Sequence, residues 1–351
     1  MYPLIDVIVP FYNADKYLQD CLTSIVEQTY ENIRILAIND GSTDSSIDIV
    51  RQFQQQYRNI DILEQENHGI GYTRNVALRN LRGEYVVFVD ADDSIEKDYI
   101  MKLWKKISET EADIAVGNLK SPSGVMFLQD IKKDIIDIED RNDFYEKFVI
   151  YNRLVYCVTN KMFRVTSLIE SQIMFDDSCR YGEDLLFLCK LYTYVKRVVI
   201  EEDSCYNYRY NPKSITRIQK PDRGYEQFKI FELFYDYIKR EKREIEYKQT
   251  TGKMLWLFVI SSINLSLREG ATNQQIIELC KYMVQSKPYK EIKKNGFLLI
   301  SMYEWVRIEC PNVLKRPMIL CIILPILNKS WRILKLFLLW RRVYASKKFD
   351  I

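Results

Sequence analysis

Histidine is almost missing from this 351-residue chain, which has only His68, and none of its eight cysteines forms a C-x-x-C pair. Zinc sites are built from such residues, so a zinc centre is not expected. Cysteines scattered singly suit a reducing compartment. Glycine is sparse as well, and the dinucleotide fingerprint is incomplete. Gly69-x-Gly71 is followed by Arg74 where a third glycine would be needed, and the pair lies far from the first strand's turn. A nicotinamide-dependent oxidoreductase is thereby disfavoured. Asp6 and Pro10 break the apolar run at the N-terminus, so no cleavable leader is expected there. A net basic charge is missing from the body of the chain. Lys315 to Ile351 carries nine Lys/Arg against one acid, or +8, which leaves −5 on the rest of a chain of net charge +3. A nucleic-acid binder needs a basic face on its folded domain, and this chain offers none.

What remains is globular, with 47% apolar and 28% charged residues, enough for one large domain or two smaller ones. The centre of the pattern is Gly83-Glu84-Tyr85-Val86-Val87-Phe88-Val89-Asp90-Ala91-Asp92-Asp93. Its continuous apolar run predicts a strand buried on both faces, as in a parallel sheet. Three carboxylates close behind it repel one another unless something compensates. A hard divalent cation carrying a diphosphate would do so. An acidic loop capping a helix that starts near Ile95 is the other reading of the same residues.

The preceding segments alternate strand and helix. Ile5 to Val9 is a β-rich run ended by Pro10, and Asp15 to Glu27 has helical spacing. Ile33 to Ile38 predicts a second strand, followed by a turn at Gly41 and a helix through Ile47, Val50 and Phe53. Ile60 to Leu63 reads as a third strand and Ile70 to Leu81 as a third helix. Such alternation predicts right-handed crossovers and a mostly parallel sheet, with ligands at the strands' carboxyl ends. Pro10-Phe11-Tyr12, Asn39-Asp40-Gly41 and Asp90-Ala91-Asp92-Asp93 would all lie at those ends.

The segments VIVPFYNADKYLQDCLTSIVEQTYENIRILAINDGSTDSS and NHGIGYTRNVALRNLRGEYVVFVDADD closely resemble the family-2 glycosyltransferases of the GT-A fold. The resemblance resumes at NKMFRV (Asn160 to Val165), GEDLLF (Gly182 to Phe187) and YNPKSIT (Tyr210 to Thr216). It implies an α/β fold of the GT-A type: a Rossmann-like, mostly parallel sheet flanked by helices, with a C-terminal helical extension. It also implies an inverting transfer from a UDP-sugar with Mn²⁺ or Mg²⁺. Pro10, Tyr12, Asp40, Arg74, Asp90 and Ala91 then line the donor site. Tyr12 matches an aromatic that stacks on uracil, and Asp40 an acid that accepts the uracil imide N–H. Asn39-Asp40 departs from the family's usual two acids at its first position. Arg74 matches an arginine lying against the nucleotide. Asp90 and Asp92 are the implied metal ligands, with Asp93 assisting or capping the next helix.

Glu183-Asp184 matches the family's acidic pair. Asp184 is the implied general base, Glu183 supporting it or contacting the acceptor. Acids there also suit the first turn of a helix whose buried face is Leu185, Leu186 and Leu188. Asn160, Lys161, Arg209, Lys213, Ser214 and Arg217 are further candidates for the donor diphosphate or the acceptor. His68 is read as a loop or core histidine. The expected organisation is a catalytic domain over 1–217, with 1–115 as its nucleotide-sugar half and 116–217 as its acceptor half. A helical extension follows over 218–316, and then a basic amphipathic tail over 317–351. In the extension Phe228, Phe231, Phe234, Tyr235 and Ile238 form a packing stripe.

In the tail, Met318 to Leu327 and Trp331 to Trp340 are interrupted by Pro, Asn, Lys and Arg. That pattern suits a segment lying in the membrane interface better than one crossing it. The expected partners are therefore a UDP-sugar, a glycan acceptor linked to lipid and the inner face of the cytoplasmic membrane, with no nucleic acid. The expected products are capsule, lipopolysaccharide or exopolysaccharide. A processive synthase of the same family is the nearest rival, but its Q-x-x-R-W motif and spanning helices are not seen. An inactive glycan-binding or scaffold protein is the other alternative, and it would have lost the acids.

Overall fold

The structure, a computed structural model, describes residues 2–121, 124, 128, 134–151, 157–211 and 220–294. Lys213, Ser214, Arg217 and the basic tail 317–351 lie outside the described residues. The chain divides into two compact units, Met1–Ile218 and Gln219–Ile351.

In the first unit, β1 (Ile5–Phe11), β2 (Ile33–Asp40), β3 (Ile60–Gln65) and β4 (Tyr85–Phe88) lie side by side in the order β3-β2-β1-β4. All three ladders are parallel. The crossovers are α1 (Leu18–Val26), α2 (Ser46–Gln56) and α3 (Ile70–Arg79). Every residue of β1, β2 and β4 is buried, as expected of strands covered on both faces. In α1 the buried Leu18, Cys21, Leu22 and Ile25 recur at helical spacing and join the core beside Val7, Val9 and Val87.

Pro10 does not end β1, which runs on to Phe11. The β4 ladder stops with Phe88 opposite Ile8, so at Pro10 the strand is paired on its β2 side alone. A residue without an N–H is tolerated in such an edge-like position.

Beyond β4 the sheet becomes mixed. It continues through β5 (Ser94–Ile95), α4 (Tyr99–Glu109), β6 (Ile114–Lys120) and β7 (Ile135–Asp137). The short α5 (Arg141–Phe144) opens into a π-helical stretch, Tyr145–Tyr151. Then come β8 (Lys161–Arg164), α6 (Val165–Ser171), α7 (Glu183–Leu191) and β9 (Arg197–Asn207). The strand order is β3-β2-β1-β4-β8-β6-β9-β5, with β7 also on β9. β8 is antiparallel to both β4 and β6, while β9 runs parallel to β6.

A helix from Ile95 is not what forms. Ser94 and Ile95 pair with Asn207 and Tyr206 of β9, and α4 starts only at Tyr99. Asp93 caps no helix. The six described cysteines are all free thiols.

The second unit contains α8 (Arg223–Arg240), α9 (Lys248–Arg268), α10 (Asn273–Gln285) and α11 (Lys287–Lys294). The stripe Phe228, Phe231, Phe234, Tyr235 and Ile238 is buried along α8. Gly224 lets α8 approach α9 closely. A Cβ there would stand 2.5 Å from the Ser262 carbonyl and collide with the Ser266 hydroxyl. Thr272 and Gln275 close a reciprocal capping box at the start of α10. No helix among the described residues is long and apolar enough to cross a membrane.

Candidate functional site

The carboxyl ends of β2, β1 and β4 are neighbours, and each delivers polar residues to the same edge of the sheet. Pro10 and Phe11 pair with Ile38 and Asn39, so Tyr12 and Asp40 leave adjacent strands at one level. Tyr12 is 51% exposed. Asp40 is buried and carries three donors. Gln65 Nε2 and the His68 N–H bond its Oδ1 at 2.8 and 2.9 Å, and the Gly69 N–H bonds its Oδ2 at 2.8 Å. The acid thus ties the end of β2 to the turn that opens α3. Gly69 takes φ 90°, a left-handed value that glycine reaches without strain. His68 is exposed, with its ring 4.5 Å from that of Tyr72.

Arg74, one turn into α3, is the hub of the site. It is 2% exposed and stands over the Phe175 ring. Its Nη2 donates to Asp90 Oδ1 at 2.9 Å, and its Nη1 donates to Glu183 Oε1 at 2.9 Å and to Asp184 Oδ1. One guanidinium therefore joins the end of β4 to the first turn of α7, a hundred residues later. Burial alone would lower the Arg74 pKa, but Asp184, Asp90 and Glu183 outweigh it and the net shift is upward. The opposite argument holds for the acids. Burial raises Asp90 against the pull of Arg74, and burial with the Asp184 charge raises Glu183. Asp184 Oδ2 also accepts the Val158 N–H at 3.2 Å. Gly182, at φ 76°, makes the turn that places both acids at the start of α7, where the helix dipole favours negative charge.

The acidic loop after β4 splits into two roles. Asp93 is buried and faces inward: Tyr206 Oη donates to its Oδ2 at 2.8 Å, and the Arg209 N–H donates to its Oδ1 at 2.8 Å. The same Tyr206 hydroxyl accepts the Asp90 N–H at 3.1 Å. Asp93 thus fastens β9 to the loop. Asp92 is half-buried, with Oδ2 accepting from Asn211 Nδ2 at 2.8 Å. Asp90 and Asp92 offer oxygen ligands only. No group of three His, Cys, Asp or Glu able to hold a metal gathers among the described residues. Two carboxylates completed by substrate phosphates are a donor set that suits Mg²⁺ or Mn²⁺, so the residues present fit such an ion.

Burial, and then the Asp90 charge, push Asp93 from 3.8 up to about 8. The folded state therefore binds a proton that the unfolded chain has already released above pH 4, and the contribution of Asp93 to stability falls as pH rises through that window. Without divalent cations the native protein should lose stability relative to Asp93→Asn as pH rises between about pH 4 and about pH 8. Asp93→Asn should flatten the slope. A difference between native and Asp93→Asn midpoints that stays constant across this range, in differential scanning calorimetry, would contradict the assignment.

Other sequence candidates fall in different places. Ala91, within the acidic loop, is buried. Asn160 and Lys161 are also buried, and they use their polar atoms internally. Asn160 Nδ2 donates to the Gly117 carbonyl, and Lys161 Nζ donates to the Cys157 carbonyl at 2.6 Å and to Asn160 Oδ1 at 2.7 Å. Burial lowers the Lys161 pKa. Arg209 pairs with Asp20 at 2.9 Å and lies over the Tyr17 ring. The linking roles of Phe175 and Tyr206 have no local signal, because their partners lie about a hundred residues away in sequence, while Asn211, which bonds Asp92, falls within the YNPKSIT motif.

A family profile described as glycosyl transferase family 2 matches residues 6–171. Glycosyltransferase GlyG of Streptococcus pneumoniae is 30% identical over 228 residues, covering 62% of this chain and 75% of that protein. Glycosyltransferase GlyA of the same organism is 40% identical over 228 residues, which is 61% of this chain but only 32% of the longer relative. Among solved structures, Staphylococcus aureus TarS 1–349 in complex with UDP-GlcNAc superposes with a TM-score of 0.64 at 23% identity, covering 80% of each chain. That likeness bears on the fold, which is of the same GT-A type.

Proposed function

The chain belongs to glycosyl transferase family 2, and from that premise we propose that it moves one sugar from a UDP-sugar to a growing cell-surface glycan, with inversion and with a divalent cation. The observation that carries the reading is the Arg74 hub, which gathers Asp90, Glu183 and Asp184 beside the strand ends bearing Tyr12 and Asp40. A complex of TarS with UDP-GlcNAc supports a UDP-sugar as the kind of donor.

In this reading Tyr12 offers an exposed ring face to the base. Asp40 fixes the turn that launches α3 and so aims Arg74. Asp90 and Asp92 would hold the cation. A bound Mn²⁺ or Mg²⁺ would neutralise the charge developing on the departing diphosphate. Burial and its neighbour's charge raise the Glu183 pKa and disfavour its ionised form. Asp184 takes the role of accepting the proton of the attacking hydroxyl.

UDP release from a panel of UDP-sugars, measured with and without Mn²⁺, tests the proposal. Release should depend on the cation, and Asp92→Ala should lose the cation-stimulated part. Turnover indifferent to the cation, or an Asp92→Ala variant as active as the native protein, would rule out the ligand assignment.

A further inference from the structure

We propose that Asn13 is a positioning residue for the donor's base, holding Tyr12 in place through a clasp between the loops that follow β1 and β2. The inference rests on the donor reading above and concerns residues to which that reading gives no role.

Tyr12 has a fixed residue on each side. Phe11 before it is buried in β1 and paired with Asn39. Asn13 after it is exposed, yet it holds φ 48°, a left-handed value costing most L-residues roughly 1–2 kcal/mol and tolerated best by Asn and Asp. Such a conformation persists only where its surroundings impose it. Here they do so from one direction. The Asn13 N–H donates to Ser42 Oγ at 3.1 Å, and Asn13 Oδ1 accepts the Thr43 N–H at 2.8 Å. The next two residues repeat the pattern, with the Ala14 N–H on Ser46 Oγ at 2.8 Å and the Asp15 N–H on Asp44 Oδ2 at 3.2 Å. The turn they grip is itself braced. Asn39 Oδ1 accepts the Ser42 N–H at 2.8 Å, and Asp44 Oδ1 accepts the Ser46 N–H at 3.0 Å.

Among the described residues the Tyr12 side chain makes no hydrogen bond or ring contact, although its backbone is gripped on both sides. An exposed ring on an immobilised backbone has two side-chain torsions left to order on binding, which is the economy of a preorganised contact. The clasp contributes little to the core, since Asn13 and Thr43 are both exposed. Its rigidity is therefore directed at the one side chain it leaves free.

Calorimetric titration with UDP in the presence of Mn²⁺ separates the outcomes. Asn13→Ala should weaken binding about tenfold, equivalent to about 1.4 kcal/mol. Asn13→Asp keeps the acceptor and the backbone conformation, so it should bind like the native protein. Asn13→Gly removes the acceptor without strain and should still lose affinity. The double variant Tyr12→Ala/Asn13→Ala should bind no more weakly than Tyr12→Ala alone, because the clasp acts through the ring. Native affinity in Asn13→Ala, or losses that multiply in the double variant, would overturn the clasp and leave the donor reading standing. A native protein that does not bind UDP at all would overturn both.

Discussion

Asp184→Asn is expected to cut sugar transfer by ~10²–10⁴-fold while UDP still binds at near-native affinity. The amide keeps the size of the carboxylate and one oxygen for Arg74 or the Val158 N–H, so the start of α7 need not move. What it cannot do is take a proton from the acceptor hydroxyl. The loss should therefore appear in kcat, with little change in the donor's apparent affinity. Glu183→Gln is the informative companion. Burial and the Asp184 charge already favour the neutral form of Glu183, which the amide imitates. It should cost much less. If Asp184→Asn loses UDP binding along with transfer, the residue is a structural partner of Arg74. If Glu183→Gln is the deeper loss, the roles of the two acids are exchanged.

The half of the molecule legible in sequence is the half built from local repeats. β1 to α3 announces itself because each strand is a short apolar run and each helix has its own period, so neighbours in sequence are neighbours in space. The strand ends carrying Tyr12, Asp40 and Asp90 were legible for the same reason and belong to neighbouring strands, whereas Arg74, which bonds Asp90, was implied only by the family resemblance. Legibility fails where a distant segment decides. Ser94 and Ile95 follow three acids and look like a helix start, yet β9 pairs with them more than a hundred residues later. Asp93 reads as assisting the metal ligands or capping the next helix until Tyr206, 113 residues away, donates to it. Lys161 reads as a residue for the donor diphosphate or the acceptor, but the carbonyl of Cys157 and the amide of Asn160 hold it inside. A four-residue strand such as β8, antiparallel to both neighbours, has too few residues to declare a period. The clasp at Asn13 lay within a recognisable motif. Its meaning depended on a backbone angle that no pattern of letters displays.

The largest expected loss of stability comes from the opposite edge of the sheet, through Arg34→Met. Asp6 is fully buried in β1, and Arg34 of β2 meets its Oδ1 at 2.9 Å with a side chain only 10% exposed. Asp6 Oδ2 accepts the N–H groups of Arg82 and Gly83 at 2.7 and 2.8 Å, which sets the turn leading into β4. Arg34 also donates to Asp61 at 2.7 Å and to the Asn80 carbonyl at 3.0 Å. Removing the arginine leaves a buried carboxylate with two backbone donors and no counter-charge. Breaking such a pair typically costs ~3–5 kcal/mol, a large part of what holds a domain folded. Equilibrium denaturation should show the loss as a lower midpoint with the slope unchanged. Asp6→Asn added to Arg34→Met should recover part of it, because the charge is gone and the amide oxygen still accepts a backbone N–H. Recovery cannot be complete, since a neutral amide oxygen accepts the two N–H groups that share Oδ2 more weakly than a carboxylate does, and the amide NH₂ standing where Oδ1 met Arg34 is left buried without that partner. If Arg34→Met unfolds at the native midpoint, the Asp6 charge is stabilised by the backbone alone. The turn into the acidic strand would then owe its position to those two N–H groups and not to the ion pair.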